Sequence, residues 1–282
     1  MTVRCVPALN WRKILDAINQ RNAAASSKDR SVVTAVSRGL SILSAFSSRD
    51  VWLGNSEIAA RTRLPKATVS RLTQTLSMLG YLHHSRRRKQ YRLGVAVLTL
   101  GYAVLGNLDV RKVARPSMQA FADSCNALVA LGARERLDMI HLETCHSNST
   151  MLTLRVDSGS RARVATTAFG RALLAALSND EREAVFQQMS QHYRDQWPKL
   201  KREIDQAIRE VHRQGFCIVM GLWQPDINAV AVPLVCRDRS EVLSIGCAGS
   251  ARYLPRHRLE KEVGPRLVDL AQRIAAELSR RV

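Results

Sequence analysis

Aromatic side chains are scarce: Phe, Trp and Tyr make up 5% of the 282 residues. Single-strand RNA modules hold bases by stacking them on aromatic rings, so this composition turns the reading away from RNA. Cysteine pairing is missing too. Cys5, Cys125, Cys145, Cys217, Cys236 and Cys247 form no CxxC pair and lie in apolar stretches, the usage expected of reduced core cysteines in a cytosolic protein. Long apolar runs are absent. The longest uncharged run, Leu93 to Leu108, contains three glycines and Asn107, short of the roughly 20 apolar residues that span a bilayer. No signal peptide stands at the start. A soluble, cytoplasmic protein with no membrane partner is expected.

Catalytic signatures are also lacking. There is no GxSxG, no Gly-rich phosphate loop and no zinc-ligand spacing. His141, Cys145 and His146 come nearest to a metal cluster, but adjacent strand residues point to opposite faces, which parts Cys145 from His146. No catalytic residue, metal or cofactor is expected. The alternative class is a metal-dependent or other enzyme carrying a basic nucleic-acid-binding domain.

One absence is local. No acidic residue occurs between Glu57 and Asp109, while Arg61, Arg63, Lys66, Arg71, Arg86, Arg87, Arg88, Lys89 and Arg92 all fall there. The net charge is +19. An excess confined to one segment points to a polyanion partner, double-stranded DNA first.

Periodicity organises that segment. Residues 1–30 read as a basic flexible arm ending in a polar linker. Val33, Val36, Leu40, Leu43 and Phe46 recur at helical spacing over 31–47. A short helix is expected from Ser56, as N-cap, to Thr62. A third opens at Pro65 or Lys66, with Val69, Leu72, Leu76 and Leu79 inward and Gly80 as its stop. Two short strands, Tyr81–His83 and Gln90–Leu93, flank a tip of Ser85 to Lys89. Three helices and a basic-tipped hairpin make a winged helix-turn-helix over 31–93. Lys66, Thr68, Ser70, Arg71 and Gln74 then face the DNA groove from the third helix. Arg86, Arg87, Arg88 and Lys89 lie along the backbone, where each neutralised phosphate releases counterions.

The blocks Val36–Leu43, Ser56–Ala59, Leu64–Leu72, Gly80-Tyr81 and Tyr91–Gly94, in register, resemble the DNA-binding domain of the isocitrate lyase regulator (IclR) family. Such a resemblance implies a sequence-specific transcription regulator, not an enzyme. Residues 94–109 read as a linker helix, apolar on several sides and therefore buried on several sides. The family dimerises through this region, so a homodimer or a dimer of dimers is implied.

From 110 to 282 the pattern becomes mixed. Strands are expected at Ala127–Ala133, Met139–Leu142, Met151–Val156, Phe216–Val219, Ala229–Val235 and Val242–Cys247. Helices are expected at Arg111–Cys125, Phe169–Leu177, after a capping box at Ser178 to Glu181, at Lys199–Gln214, and over Leu267 to Leu278. An α+β sheet with packed helices fits. Thr166–Ala175, Asn228–Pro233 and Ser244–Gly249 are similar to the same family's GAF-like effector domain. That resemblance implies a pocket of Ala168, Phe169, Asp226, Asn228, Ala229, Gly246 and Ala248, holding a small organic acid that modulates DNA affinity. A carboxylate suits the open N–H groups at the start of the helix near Phe169. Gly246 and Ala248 replace hydroxyl residues of relatives that bind small oxoacids. A roomier, more apolar wall and a larger, aromatic acid follow. Phe169 and Trp223 read equally well as core packing.

Overall fold

Residues Thr34–Leu43 form α1, and the chain continues β1 (Leu53–Gly54), α2 (Asn55–Thr62), α3 (Lys66–Met78), β2 (Leu82–Ser85), β3 (Gln90–Leu93) and α4 (Val95–Asn107) in a computed structural model. The structure describes residues 33–47, 50–107, 109–147, 156–235 and 242–280. The arm at 1–30, Cys5, Cys236 and most of the expected strand Met151–Val156 lie outside them. Two compact units divide the chain between Val104 and Leu105. Among the described residues no helix is long and apolar enough to cross a membrane.

The first unit packs three helices against a three-stranded antiparallel sheet of order β1-β3-β2. Its core is small: Ile42, Phe46, Leu53, Ile58, Val69, Leu82 and Tyr91. Two expectations are corrected here. Helix α2 starts at Asn55, not after Ser56, because the Glu57 carboxylate accepts the Gly54 N–H at 2.7 Å and moves the N-cap two residues earlier, to Gly54. Leu79 is 61% exposed, while Thr73 is fully buried. The Thr73 hydroxyl donates to the Val69 carbonyl at 2.9 Å, so a polar side chain enters the core without an unmet hydrogen bond. Strand β1, two residues long, has no sequence signal.

The second unit runs α5 (Asp109–Cys125), β4 (Leu128–Glu135), β5 (Asp138–His146), β6 (Arg161–Arg163), α6 (Ala168–Ala176), α7 (Asn179–Tyr193), α8 (Trp197–Gln214), β7 (Cys217–Met220), β8 (Ile227–Val235), β9 (Val242–Ser250) and α9 (Gly264–Leu278). Its antiparallel sheet has the order β6-β5-β4-β9-β8-β7. One face packs Val129, Leu131, Val230, Val232, Ile245 and Cys247 against α5 and α9. The other packs Ala130, Met139, Cys217, Val219 and Ala231 against α6 and α8, with α7 joined to the same core through α8. The capping box at Ser178 is present, with the Glu181 N–H donating to Ser178 Oγ at 3.3 Å. Gly215, at φ 87°, closes α8 in the left-handed region that favours glycine. Strands β5 and β9 extend past their expected ends. The edge strand β6, three residues with two arginines, carries no strand pattern in the sequence.

Candidate nucleic-acid interface and effector face

Helix α3 begins at Pro65, which caps it with no side-chain hydrogen bond. Val69 and Thr73 turn inward and Leu72 and Leu76 are half-buried. Lys66, Ser70, Arg71 and Gln74 are exposed, and Thr68 is half-buried. Four of the five expected α3 residues therefore share its free side. The turn into α3 is held from behind. Arg63 adopts φ 57°, and Thr62 donates to the Ile58 carbonyl at 2.7 Å. Arg61 forks onto Asp50 at 2.6 and 2.9 Å and also donates to the Ala45 carbonyl at 2.9 Å.

Arg86, Arg87, Arg88 and Lys89 are all exposed at the β2–β3 turn. Lys89 has φ 52°. The structure also gathers residues that were not singled out. Trp52 meets His83, with ring centroids 6.0 Å apart, and the guanidinium groups of Arg88 and Arg92 lie over its ring. The link between Trp52 and the wing depends on the β1–β3 register, which no local pattern betrays.

In the second unit the expected effector residues separate. Ala168 and Phe169 are buried at the start of α6, behind the N-cap Thr167, whose hydroxyl oxygen accepts the Gly170 N–H at 3.1 Å. The Phe169 ring sits on the sheet. A Cβ at Gly132 would lie 2.6 Å from its Cζ, and one at Gly246 would lie 3.2 Å from its Cδ2. His141 stacks on the same ring with centroids 5.2 Å apart, while its Nδ1 meets the Ser160 carbonyl at 2.9 Å. Burial pushes the His141 pKa below its ordinary value. The room expected from Gly246 is thus occupied: glycine there admits Phe169 instead of enlarging a wall. Ala229 and Ala248 pair directly and are half-buried, as is Gly246. Leu128, Val156 and Ile227 cluster beside Ala248.

Asn228 does not belong with them. Alternation turns it to the opposite face, where its Nδ2 donates to the Leu254 carbonyl at 2.9 Å. It is 3% exposed and ties down the segment after β9. Asp226 is exposed on the β7–β8 turn, and its carbonyl accepts the Ala251 N–H at 2.8 Å. Glu143, also on the α5 face, is 2% exposed and is held by both Arg111 and Arg115 of α5. Among the described residues no group of His, Cys, Asp and Glu is arranged to hold a metal ion.

Residues 35–86 match the IclR helix-turn-helix domain, and residues 102–279 match the family described as bacterial transcriptional regulator IclR C-terminal. The chain belongs to the IclR family. The HTH-type transcriptional regulator TsaQ1/TsaQ2 of Comamonas testosteroni is 34% identical over 248 residues, 88% of this chain and 89% of that one. The Pca regulon regulatory protein of Pseudomonas putida is 25% identical over 251 residues, 89% of this chain and 86% of its own. An IclR family transcriptional regulator from Brucella abortus superposes with a TM-score of 0.80 at 42% identity, covering 89% of this chain and 94% of that one. Like these relatives, the protein is a transcription regulator. It has an N-terminal DNA-binding helix-turn-helix and a C-terminal α+β domain that binds a small-molecule effector.

Proposed function

We propose that this regulator reads base edges with α3, grips phosphates with the wing tip, and changes DNA affinity when a small aromatic carboxylate binds the α6 face of its second sheet. The observation that carries the DNA part is the free side of α3. Lys66, Ser70, Arg71 and Gln74 are exposed there, with Thr68 half-buried at its edge. Arg71 and Gln74 have the reach and donors for base edges, and Lys66 suits a phosphate. No carboxylate competes for the tip arginines within the acid-free stretch.

The effector part rests on Ala229, Gly246 and Ala248. Ala229 and Ala248 are half-buried small residues that make an apolar floor bordered by Leu128, Val156 and Ile227, and Gly246 closes one end of it under the Phe169 ring. A flat ring suits such a floor, and the start of α6 offers N–H groups to a carboxylate. Asp226 stands on the nearby turn. Asn228 is left out of the pocket. An IclR homologue from Microbacterium hydrocarbonoxydans shares this fold at 17% identity and a TM-score of 0.67, over 86% of this chain and 99% of its own, and was crystallised with 4-hydroxybenzoate. That acid is the first to try.

We further propose a homodimer acting in the cytoplasm, without catalytic activity. Val95, Leu98, Leu100 and Tyr102 of α4 are 85, 63, 55 and 69% exposed. An apolar surface of that kind marks an interface, and a second copy of α4 supplies the same chemistry.

The test is a comparison of two duplexes, one selected from a random pool by the protein and one of random sequence. Arg71→Ala is expected to cost about 1–3 kcal/mol on the selected site and less on the random one. Equal losses would reduce Arg71 to a phosphate anchor. Addition of 4-hydroxybenzoate is expected to shift affinity for the selected duplex about 5–150-fold, the usual range of coupling between sites. No shift with it or with related benzoates would remove the aromatic assignment.

A further inference from the structure

The outer face of the three-stranded sheet carries a group that the α3-and-tip reading leaves unused. Leu53 pairs with Tyr91 and Gly54 with Gln90, so the same register sets Trp52 beside Arg92. His83 pairs with Arg92 on the other side. Trp52, Arg92 and His83 thus form one row across the sheet. Leu53, Tyr91 and Leu82 enter the core, and alternation puts their neighbours on the opposite face. The Arg92 guanidinium carbon lies 5.2 Å from the Trp52 ring centroid. Arg88, reaching back from the tip, lies 5.6 Å from the same centroid. The indole is half-buried, while His83, Arg88 and Arg92 are exposed.

Two guanidinium groups on one ring repel each other. The nearest acidic residues in sequence do not relieve them: Asp50 is held by Arg61, and Glu57 accepts the Gly54 N–H. Each cation–π contact is attractive even at an exposed site. Two like charges gathered at one ring offset part of that attraction. The arrangement is therefore poised: the ring holds the cations together, and an anion between them turns repulsion into attraction. The surface continues directly into the tip at Arg86 to Lys89, so the anion that fits is a backbone phosphate of duplex DNA.

We propose that Trp52 is a positioning residue for DNA binding, holding Arg88 and Arg92 as a paired clamp on one backbone phosphate. The inference rests on the DNA reading above and extends it from the tip onto the sheet face. An indole pre-orders two flexible side chains, so the ordering cost is met before DNA arrives.

The test uses the full chain and a fluorescein-labelled random-sequence duplex of about 30 base pairs, with anisotropy measured across a series of salt concentrations. Trp52→Ala is expected to weaken binding about 3–10-fold near physiological salt. It should also flatten the plot of log affinity against log salt by about one unit, the contribution of one phosphate. Trp52→Phe, which keeps a π face, is expected to restore most of both. In an Arg88→Ala/Arg92→Ala background, Trp52→Ala is expected to add nothing. A full additional loss there would mean that the ring acts without the arginines, and the clamp would be wrong. If the double-arginine variant binds like the parent, the clamp is also wrong, while a loss in Arg71→Ala would keep the DNA reading. A parent chain without affinity for duplex sinks both. Melting curves accompany each variant. Should Trp52→Ala fail to fold, Trp52→Leu, which fills the site without a π face, takes its place in the cycle.

Discussion

The two units solve opposite problems with the same alphabet. Residues 1–104 carry 17 Lys and Arg against 4 Asp and Glu, whereas residues 105–282 carry 26 against 20. Among the described residues the first unit has one small core cluster of seven buried residues, and the second has a large core on each face of its sheet. In the second unit many basic groups have carboxylate partners: Arg161 with Glu135, Arg171 with Glu203, Lys201 with Asp205, Arg258 and Arg266 with Glu262. In the first, the cations of α3 and the wing have no carboxylate partner among the described residues. A surface reserved for a polyanion is a surface not spent on a core. The reading unit therefore leans on polar staples such as Asp50–Arg61 and Thr73, and the sensing unit leans on packing.

The sharpest break of that comparison is Gly170→Ala. A Cβ there would fall 2.3 Å from Val164 Cα and 2.4 Å from its carbonyl oxygen, both backbone atoms that cannot yield cheaply. Urea unfolding followed by probes in each unit is expected to lose about 3 kcal/mol or more in the second unit alone. Equal movement of both transitions would show that the division in contacts is not a division in stability.

Asp50→Ala probes the polar side of the comparison. Its carboxyl is held below the usual 3.8 chiefly by the hydrogen bond from Arg61, with Ser47 adding to it against an opposing burial effect. The side chains are 19% and 24% exposed, and a cost of about 1–2 kcal/mol in the first unit follows. A depressed folded pKa gives stability that is present above the unfolded value and lost as pH falls through the folded one. Acid titration of the melting temperature below about pH 4 is therefore expected to be shallower in the variant. Parallel acid profiles would deny the staple its role.

The smallest effect has the opposite sign. Gly39 lies inside α1, and a Cβ there meets nothing within 4 Å. Gly39→Ala is expected to stabilise the first unit by about 0.5–1 kcal/mol. A loss instead, read from the same urea curves, would reveal that this helix face is covered in solution, and the first unit would be less open than its charge suggests.

Much of this was legible in the sequence because its patterns are local. The apolar recurrence of α3, the acid-free basic run and the box at Ser178 each occupy one short window. What escaped is set by pairing across the chain. Trp52 joins Arg88 and Arg92 only through the β1–β3 register, and Asn228 parts from Ala229 only once alternation is fixed in β8. Phe169 looked like one wall of a pocket beside a vacant Gly246. In three dimensions the ring and the glycines at 132 and 246 are two halves of one fit. Thr73 in the core and Leu79 outside it invert the expected polarity, because a hydroxyl can bond to its own helix and a helix end can remain uncovered.

Gly94 gives the reading unit a mechanical property. Any side chain there would strike the Gly80 carbonyl, whose oxygen would lie 2.0 Å from a Cβ, and the Gly94 N–H donates to the Tyr81 carbonyl at 2.8 Å. Gly80 itself turns the chain at φ 79° just after α3. The foot of α4, which starts one residue past Gly94, is thus bolted to the tail of α3 backbone against backbone. A bolted joint has no slack. Bending between the foot of α4 and the tail of α3 would have to break that backbone contact. Any side chain at Gly94 would force that joint apart while leaving the exposed side of α3 untouched.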